Sequence, residues 1–273
     1  MRLDAPAERY TVPALKRGLE ILRAFTQDRP VLALGPLARD MDLPRATVFR
    51  LLRTLESMGF VTREDGGRGY RLGPAVLGLG FEFLAALEVP ELARPALEAL
   101  RDRTGASTHL AIRDGTDIIY VARRAGRSAL ASNIRVGSRL AAHATSMGRV
   151  LLAALGEAEL AQLYAGRDLP RFTDQTPVDL EALQSLLRAD RARGWVVSRS
   201  YFERGVASVA APVFDASGRV MAAINITVAE TAVDTAVLEG PLKDDVVAAA
   251  AAISSWLGYR TPGRAPSARR AAG

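Results

Sequence analysis

The chain contains no cysteine. That absence excludes disulfides, cysteine-ligated zinc and thiol chemistry, and it fits a reducing cytoplasm. Histidine is nearly absent as well: His109 and His143 are the only two, a poor basis for a transition-metal site. No apolar run approaches the ~18 residues of a membrane span, so no membrane partner is expected. The opening MRLDAPAERYT is charged and has no apolar h-region, unlike a signal peptide. No G-x-S-x-G elbow, P-loop or H-E-x-x-H sequence is present. Nothing forms a recognisable nucleophile–base–orienter set, so an enzyme is not expected, and neither is a cofactor or a bound metal. The sequence contains no internal repeat. Lysine too is scarce, at Lys16 and Lys243 alone, so the basic charge is arginine.

What is present divides along the chain. At 273 residues there is room for two domains, and 49% hydrophobic with 24% charged residues is an ordinary globular composition. The net charge of +6 is uneven. Residues 1–73 hold 13 Lys+Arg against 9 Asp+Glu, net +4; residues 74–259 are net −2; residues 260–273 are net +4. A basic end joined to a slightly acidic middle suits one nucleic-acid-binding part and one part with another task.

The basic end has a pattern. Leu15, Leu19, Ile21, Leu22 and Phe25 recur at helical spacing and predict a helix over 14–26. A short helix over 34–41 follows, then a turn at Asp42-Leu43. Pro44 is placed to open the next helix, where its missing N–H costs nothing. That helix runs to about Met58, with Val48, Leu51, Leu52 and Leu55 as its apolar stripe and Ala46, Phe49, Arg50 and Arg53 opposite. Gly59 closes it. Residues 60–63 and 69–72 predict two short strands, with Gly66-Gly67 supplying positive φ in the turn. Helix, turn, arginine-studded helix and β-wing form a winged helix-turn-helix. Arg45, Thr47, Phe49, Arg50 and Arg53 are the candidates for groove contact: guanidinium can donate twice to guanine O6 and N7, and a Thr methyl or Phe ring can meet a thymine methyl. Arg63, Arg68 and Arg71 on the wing are candidates for backbone or minor-groove contact. Arg39, beside Asp40 and Asp42, reads as a salt-bridged surface residue.

After Gly73-Pro74, residues 75–87 predict a strongly apolar linker helix (Val76, Leu77, Leu79, Phe83, Leu84) that needs a partner surface, most simply a second subunit. Val89-Pro90 breaks it, and 91–104 forms another helix. Strands are expected over 107–112, 118–122, 132–136, 195–199, 206–214 and 220–228, with hairpins at Asp114-Gly115 and Ser217-Gly218. Helices are expected over 146–154, 157–164, 180–193 and 242–257, and a disordered basic tail from 260 onward. Short turns between successive strands argue for an antiparallel sheet with helices packed on it, an α+β domain. The domains are thus a flexible 1–12, a winged helix-turn-helix at 13–73, a linker helix at 74–89, an α+β domain at 90–259 and the tail.

Three blocks, LARDMDLPRATVFRLLRTLESMGFVTR, RVGSRLAAHATSMGRVLLAAL and RGVASVAAPVFDASGRVMAAINIT, resemble the IclR family of bacterial transcriptional regulators in order and at family spacing. The ATSMGRVLLAAL segment and the lack of cysteine look most like the subgroup controlling aromatic-acid catabolism by the β-ketoadipate route. The resemblance implies a GAF-like effector domain that binds a small organic acid. It also implies a homodimer or dimer of dimers on double-stranded operator DNA in the bacterial cytoplasm, with RNA polymerase as a further partner. By motif it carries the effector site onto Ser132, Leu140, Ser146, Met147, Ser198, Val206, Ser208, Asn225 and Thr227. Ser146 and Met147 would start a helix whose free N–H groups favour a carboxylate. Ser208, Asn225 and Thr227 could orient ligand oxygens, and Leu140, Met147 and Val206 would form an apolar wall. Where glyoxylate-type members carry a cysteine and an acid, this chain has Ser208 and Ser198, which leaves room for a larger ring.

Other readings stand beside these. Asn225 and Thr227 could simply face outward from a strand. Arg123, Arg124 and Arg127 could pair a carboxylate or belong to a solvated loop, and His143 could cap the 146 helix or touch ligand. The competing function is a small-molecule sensor acting through protein–protein contacts.

Overall fold

The computed structural model describes residues 10–26, 28–64, 66–67, 69–127 and 134–260. The chain divides into two compact units, Met1–Ala86 and Leu87–Gly273. Most of the expected flexible start and the expected tail lie outside the described residues.

In the first unit, α1 (Pro13–Ala24), α2 (Leu34–Asp40) and α3 (Arg45–Ser57) precede the antiparallel pair β1 (Val61–Arg63) and β2 (Tyr70–Leu72). Ile21, Leu37, Val48, Leu52 and Val61 are fully buried at the centre. Leu32 adds a bridge to the wing by exchanging both backbone hydrogen bonds with Tyr70 at 2.9 Å. Pro44 sits one position earlier than expected, as the N-cap of α3 (φ −58°, ψ 137°), because its extended ψ lies outside the helix. Gly59 terminates α3 at φ +76°. The chain returns so close to it that a Cβ on Gly73 would lie 2.2 Å from the Gly59 carbonyl oxygen. Wing and recognition helix are therefore pressed together at a glycine pair.

The first helix differs from expectation in which way it faces. Gly18 and Ile21 are buried, with Phe25 just beyond the helix end, whereas Leu15 and Leu19 are exposed. Positions 15 and 19 lie one turn apart on the outer side, so the apolar set is two stripes. The next helix, α4 (Ala75–Ala85), buries none of its residues within this unit, and Leu77, Leu79, Phe81 and Phe83 are exposed.

The second unit begins with α5 (Glu88–Thr104). The helix break thus falls at Ala86-Leu87, and Pro90 lies in the first turn of α5 instead of breaking the chain there. A helix does not use the N–H groups of its first turn, so proline is tolerated. Next come β3 (Ser107–Asp114), β4 (Asp117–Arg124), β5 (Arg139–Ala141), α6 (Ser146–Ala153), α7 (Glu157–Tyr164), α8 (Leu180–Arg193), β6 (Val196–Arg199), β7 (Val206–Phe214), β8 (Val220–Ala229) and α9 (Lys243–Trp256). The strands form one antiparallel sheet in the order β5-β4-β3-β8-β7-β6. The α+β expectation holds.

The strand expected over 132–136 does not form over its described part, 134–136. A tight turn occupies 135–138, with Ser138 N–H donating to Arg135 O at 2.9 Å and Gly137 at φ +88°. The edge strand is β5 instead, paired to β4 from Asp117↔Ala141 to Ile119↔Arg139. Helices cover both faces of the sheet. On one side α5 and α9 pack together, and the buried Thr108 hydroxyl donates to Leu97 O at 3.0 Å. On the other lies α6. A Cβ on Gly148 would sit 2.2 Å from Ala142 O, so only glycine lets α6 fold back on the single helical turn Ala142–Ala144 before it. Arg149, 1% exposed, ties α6 to α8 with two bonds to Asp190, Nε–Oδ2 2.8 Å and Nη2–Oδ1 2.7 Å.

Candidate functional sites

On the outer side of α3, Arg45, Phe49, Arg50 and Arg53 are exposed and Thr47 is half-buried. The arginines are not equivalent. Arg53 Nη1 pairs with Glu56 Oε2 at 2.9 Å, and Arg63 Nε approaches Glu56 Oε1 at 3.2 Å while stacking over Tyr70. Arg71 pairs with Glu64. Arg45 and Arg50 have no acidic partner among the described residues, which leaves their guanidinium groups available to phosphate or base. Arg68 lies outside the described residues. The ion pair expected at Arg39 forms elsewhere: Asp40 is taken by Arg29 at 2.6 Å. Arg39 stays exposed and lines a shallow hollow with Arg45 and Asp42, with no ion pair to either neighbouring acid among the described residues.

The second unit contains a cavity of about 270 Å³ at the amino end of α6, against the sheet. Leu140, Ser146, Ser198, Val206, Ser208, Asn225 and Thr227 all line it. Ser132 lies outside the described residues. Met147 is corrected: it is fully buried in the core below α6, because one step along a helix turns it about 100° from Ser146. The lining also includes Tyr120, Ile134, Ala144, Thr145, Tyr201, Phe202 and Glu203, which sequence reasoning did not single out.

Strand register explains the polar wall. Ser198, Ser208, Thr227 and Ser107 are successive cross-strand partners on β6, β7, β8 and β3. They make a row of hydroxyls across the sheet. One row further in, Asn225 is opposite His109, which is opposite Arg123. Asn225 and Thr227 therefore point inward, at 4% and 6% exposure, and not to solvent. Ser208 Oγ donates to Ser146 Oγ at 2.8 Å, joining sheet to helix.

Thr145, not His143, caps α6, its hydroxyl accepting from Gly148 N–H at 3.1 Å. His143 is buried with Nε2 3.0 Å from Pro170 O, and burial lowers its pKa. Arg123 and Arg124 belong to β4 and not to a loop; Arg124 pairs with Glu98 at 2.9 Å. Burial pushes the Tyr120 hydroxyl pKa up, so it stays neutral.

Among the described residues no lysine or arginine lines the cavity, and the one charged lining residue is Glu203. Leu140, Ile134, Val206 and the aromatic rings of Tyr120, Tyr201 and Phe202 supply the apolar walls, and hydroxyls, an amide and a helix amino end supply the polar side. Such a lining suits a small, largely apolar molecule with one end rich in oxygen. A larger groove of about 880 Å³ lies elsewhere in this unit, lined by Arg113, Arg191 and Arg219, and the first two are already engaged. Arg113 pairs with Glu159, and Arg191 with the carbonyls of Ala153 and Leu155. Among the described residues, no group of three His, Asp or Glu side chains could hold a metal, and no helix is long and apolar enough to cross a membrane.

Comparison with known proteins matches residues 14–65 to the IclR helix-turn-helix domain and residues 81–255 to the bacterial transcriptional regulator IclR C-terminal domain. The chain belongs to the IclR family. It is 38% identical to the Pca regulon regulatory protein of Pseudomonas putida over 78% of this chain and 73% of that one. It is 34% identical to the transcriptional regulator XynR of Escherichia coli K12 over 91% and 98%. A solved IclR homologue from Microbacterium hydrocarbonoxydans, complexed with 4-hydroxybenzoate, is 27% identical with a TM-score of 0.77, covering 89% of this chain and 98% of that one. This IclR-family chain is thus a transcriptional regulator with a helix-turn-helix for DNA and a ligand-binding C-terminal domain.

Proposed function

We propose that this regulator senses a small aromatic carboxylic acid in the 270 Å³ cavity and controls genes for aromatic-acid catabolism from operator DNA. The observation that carries the reading is the convergence of seven motif-carried residues, from five separate elements, on one cavity with apolar walls and an oxygen-binding end. The likeness to a Pca regulon regulatory protein and to a homologue holding 4-hydroxybenzoate supports it. The ring would lie against Leu140, Val206 and the aromatic side chains. The carboxylate would take the hydroxyls of Ser146 and Thr227 and the free N–H groups at the start of α6. Arg45 and Arg50 would enter the major groove, with Arg53 and the wing arginines Arg63, Arg68 and Arg71 on the backbone. The protein acts as a regulator and not as a catalyst, in the bacterial cytoplasm, and meets RNA polymerase at the promoter.

The uncovered stripes of α1 and α4 (Leu15, Leu19, Leu77, Leu79, Phe81 and Phe83) support a homodimer, or a dimer of dimers, in which these faces meet. Ligand then controls DNA binding only by its different affinity for the DNA-competent and incompetent states.

A thermal-shift series with 4-hydroxybenzoate, protocatechuate and related acids tests the effector. A binder at ~100 Kd stabilises by about 2.7 kcal/mol; no shift with any aromatic acid overturns the effector class. Ultracentrifugation of Phe81→Asp tests the dimer, which is overturned if wild type already sediments as a monomer.

A further inference from the structure

His109 lies on β3, is 0% exposed and does not line the cavity. Its Nδ1 sits 2.9 Å from Asn225 Oδ1. The carbonyl oxygen can only accept, so Nδ1 carries the proton and donates, and Nε2 is bare. Asn225 Nδ2 is thereby turned toward Thr227 Oγ1, 3.4 Å away in the hydroxyl row. The opposite arrangement is disfavoured. It would set the amide NH2 against Nδ1 and force the proton onto Nε2. That nitrogen is buried and has no partner among the described residues, so the N–H would lose its hydration without compensation. Burial and the positive Arg123, opposite His109 on β4, both resist a second proton, and the pKa falls to about 4. The ring is held neutral in one tautomer across the physiological range.

We propose that His109 is a positioning residue that sets the ligand class of the cavity, by orienting the Asn225 amide so that its polar wall presents N–H and O–H donors. The hydrogen bonds run in one direction: His109 Nδ1–H to Asn225 Oδ1, Asn225 Nδ2–H toward Thr227 Oγ1, leaving the Thr227 proton for the ligand. A cavity without a lining cation among the described residues thus selects a bare oxygen end, such as a carboxylate, over an end that itself brings N–H groups. This selection rests on the aromatic-acid reading above, but the tautomer does not.

Two measurements on the full-length chain test it. The first is long-range 15N–1H NMR of 15N-histidine-labelled protein without ligand. The expected result for His109 is a protonated Nδ1 and a bare Nε2, unchanged between pH 8 and pH 6. A proton on Nε2 overturns the proposal. The second compares the affinity for 4-hydroxybenzoate with that for 4-hydroxybenzamide in wild type, His109→Leu and His109→Gln. Leucine removes the donor and should lower the acid-to-amide preference about tenfold. Glutamine, whose side-chain N–H can replace Nδ1–H, should restore most of it. An unchanged preference in the leucine variant, or a loss that glutamine does not restore, overturns the selection. Wild type that binds neither compound refutes the aromatic-acid reading and leaves the NMR result to decide the role of His109.

Discussion

The proposed DNA-reading face and the proposed ligand cavity use polar groups in opposite ways. On α3 and the wing the described arginines are exposed, and Arg53, Arg63 and Arg71 rest against Glu56 and Glu64. In the cavity no cation lines the wall among the described residues, and neutral groups are held by neighbours: Ser208 by Ser146, Asn225 by His109. A polyanion is met by charge and selected afterwards. In the proposed site a small ligand would be met by oriented dipoles between apolar walls, where orientation counts for more. The first strategy is visible in composition; the second exists only once the sheet is assembled.

Salt should separate the two regions most clearly. A complex that neutralises about six phosphates loses roughly a thousandfold in affinity between 50 and 200 mM salt. Titrations of effector over the same range should change less than twofold, since no lining cation is screened. An equally steep effector response would break the contrast and point to an unseen cation.

Acid should act next, and on the cavity side. His109 has its pKa depressed from 6.5 to about 4. A histidine depressed in the folded state contributes stability that is complete above its unfolded pKa and is lost as pH falls from 6.5 toward 4. The difference is about 3 kcal/mol. Urea unfolding between pH 7 and pH 4.5 should show wild type weakening more steeply than His109→Gln. His143, lowered by burial as well, contributes the same sign to both proteins. Parallel curves would contradict the account of His109 as a buried neutral donor.

Within the DNA-reading face, Arg50→Ala should cost about 2 kcal/mol of operator binding if the guanidinium reads a base. Arg53→Ala should cost less, because its charge is already shared with Glu56. Equal losses on specific and nonspecific DNA would make Arg50 a phosphate contact. The smallest effect belongs to Ser208→Ala, about 1 kcal/mol of effector affinity with apo operator affinity unchanged. A matching loss in DNA binding would show that the serine supports the fold and not the ligand.

Much of this was legible in the sequence. The helix-turn-helix, the wing and most strands follow from period and turn residues, since those depend on neighbours a few positions apart. The errors came where a local signal competed with a distant one. Residues 132–136 alternate like a strand, yet the edge position goes to Arg139–Ala141, because those residues meet Asp117–Ile119. Arg39 sits beside Asp40 in sequence, but Arg29 reaches that carboxylate first. Met147 shares a motif with Ser146, but helix geometry turns it into the core. The His109–Asn225 bond joins residues 116 positions apart through strand register, a relation no local pattern carries.

The Arg149–Asp190 clasp between α6 and α8 has a consequence for descent. Removing either partner strands a dehydrated charge, at a cost of about 3–5 kcal/mol, which is a large share of a typical domain's stability. Single-step drift at either position is therefore closed, and the two residues are inherited as one. Arg193, which also reaches Asp190 at 2.6 Å but stands at the surface, is free to vary. Across descendants of this chain, position 193 should wander while 149 and 190 change together or not at all.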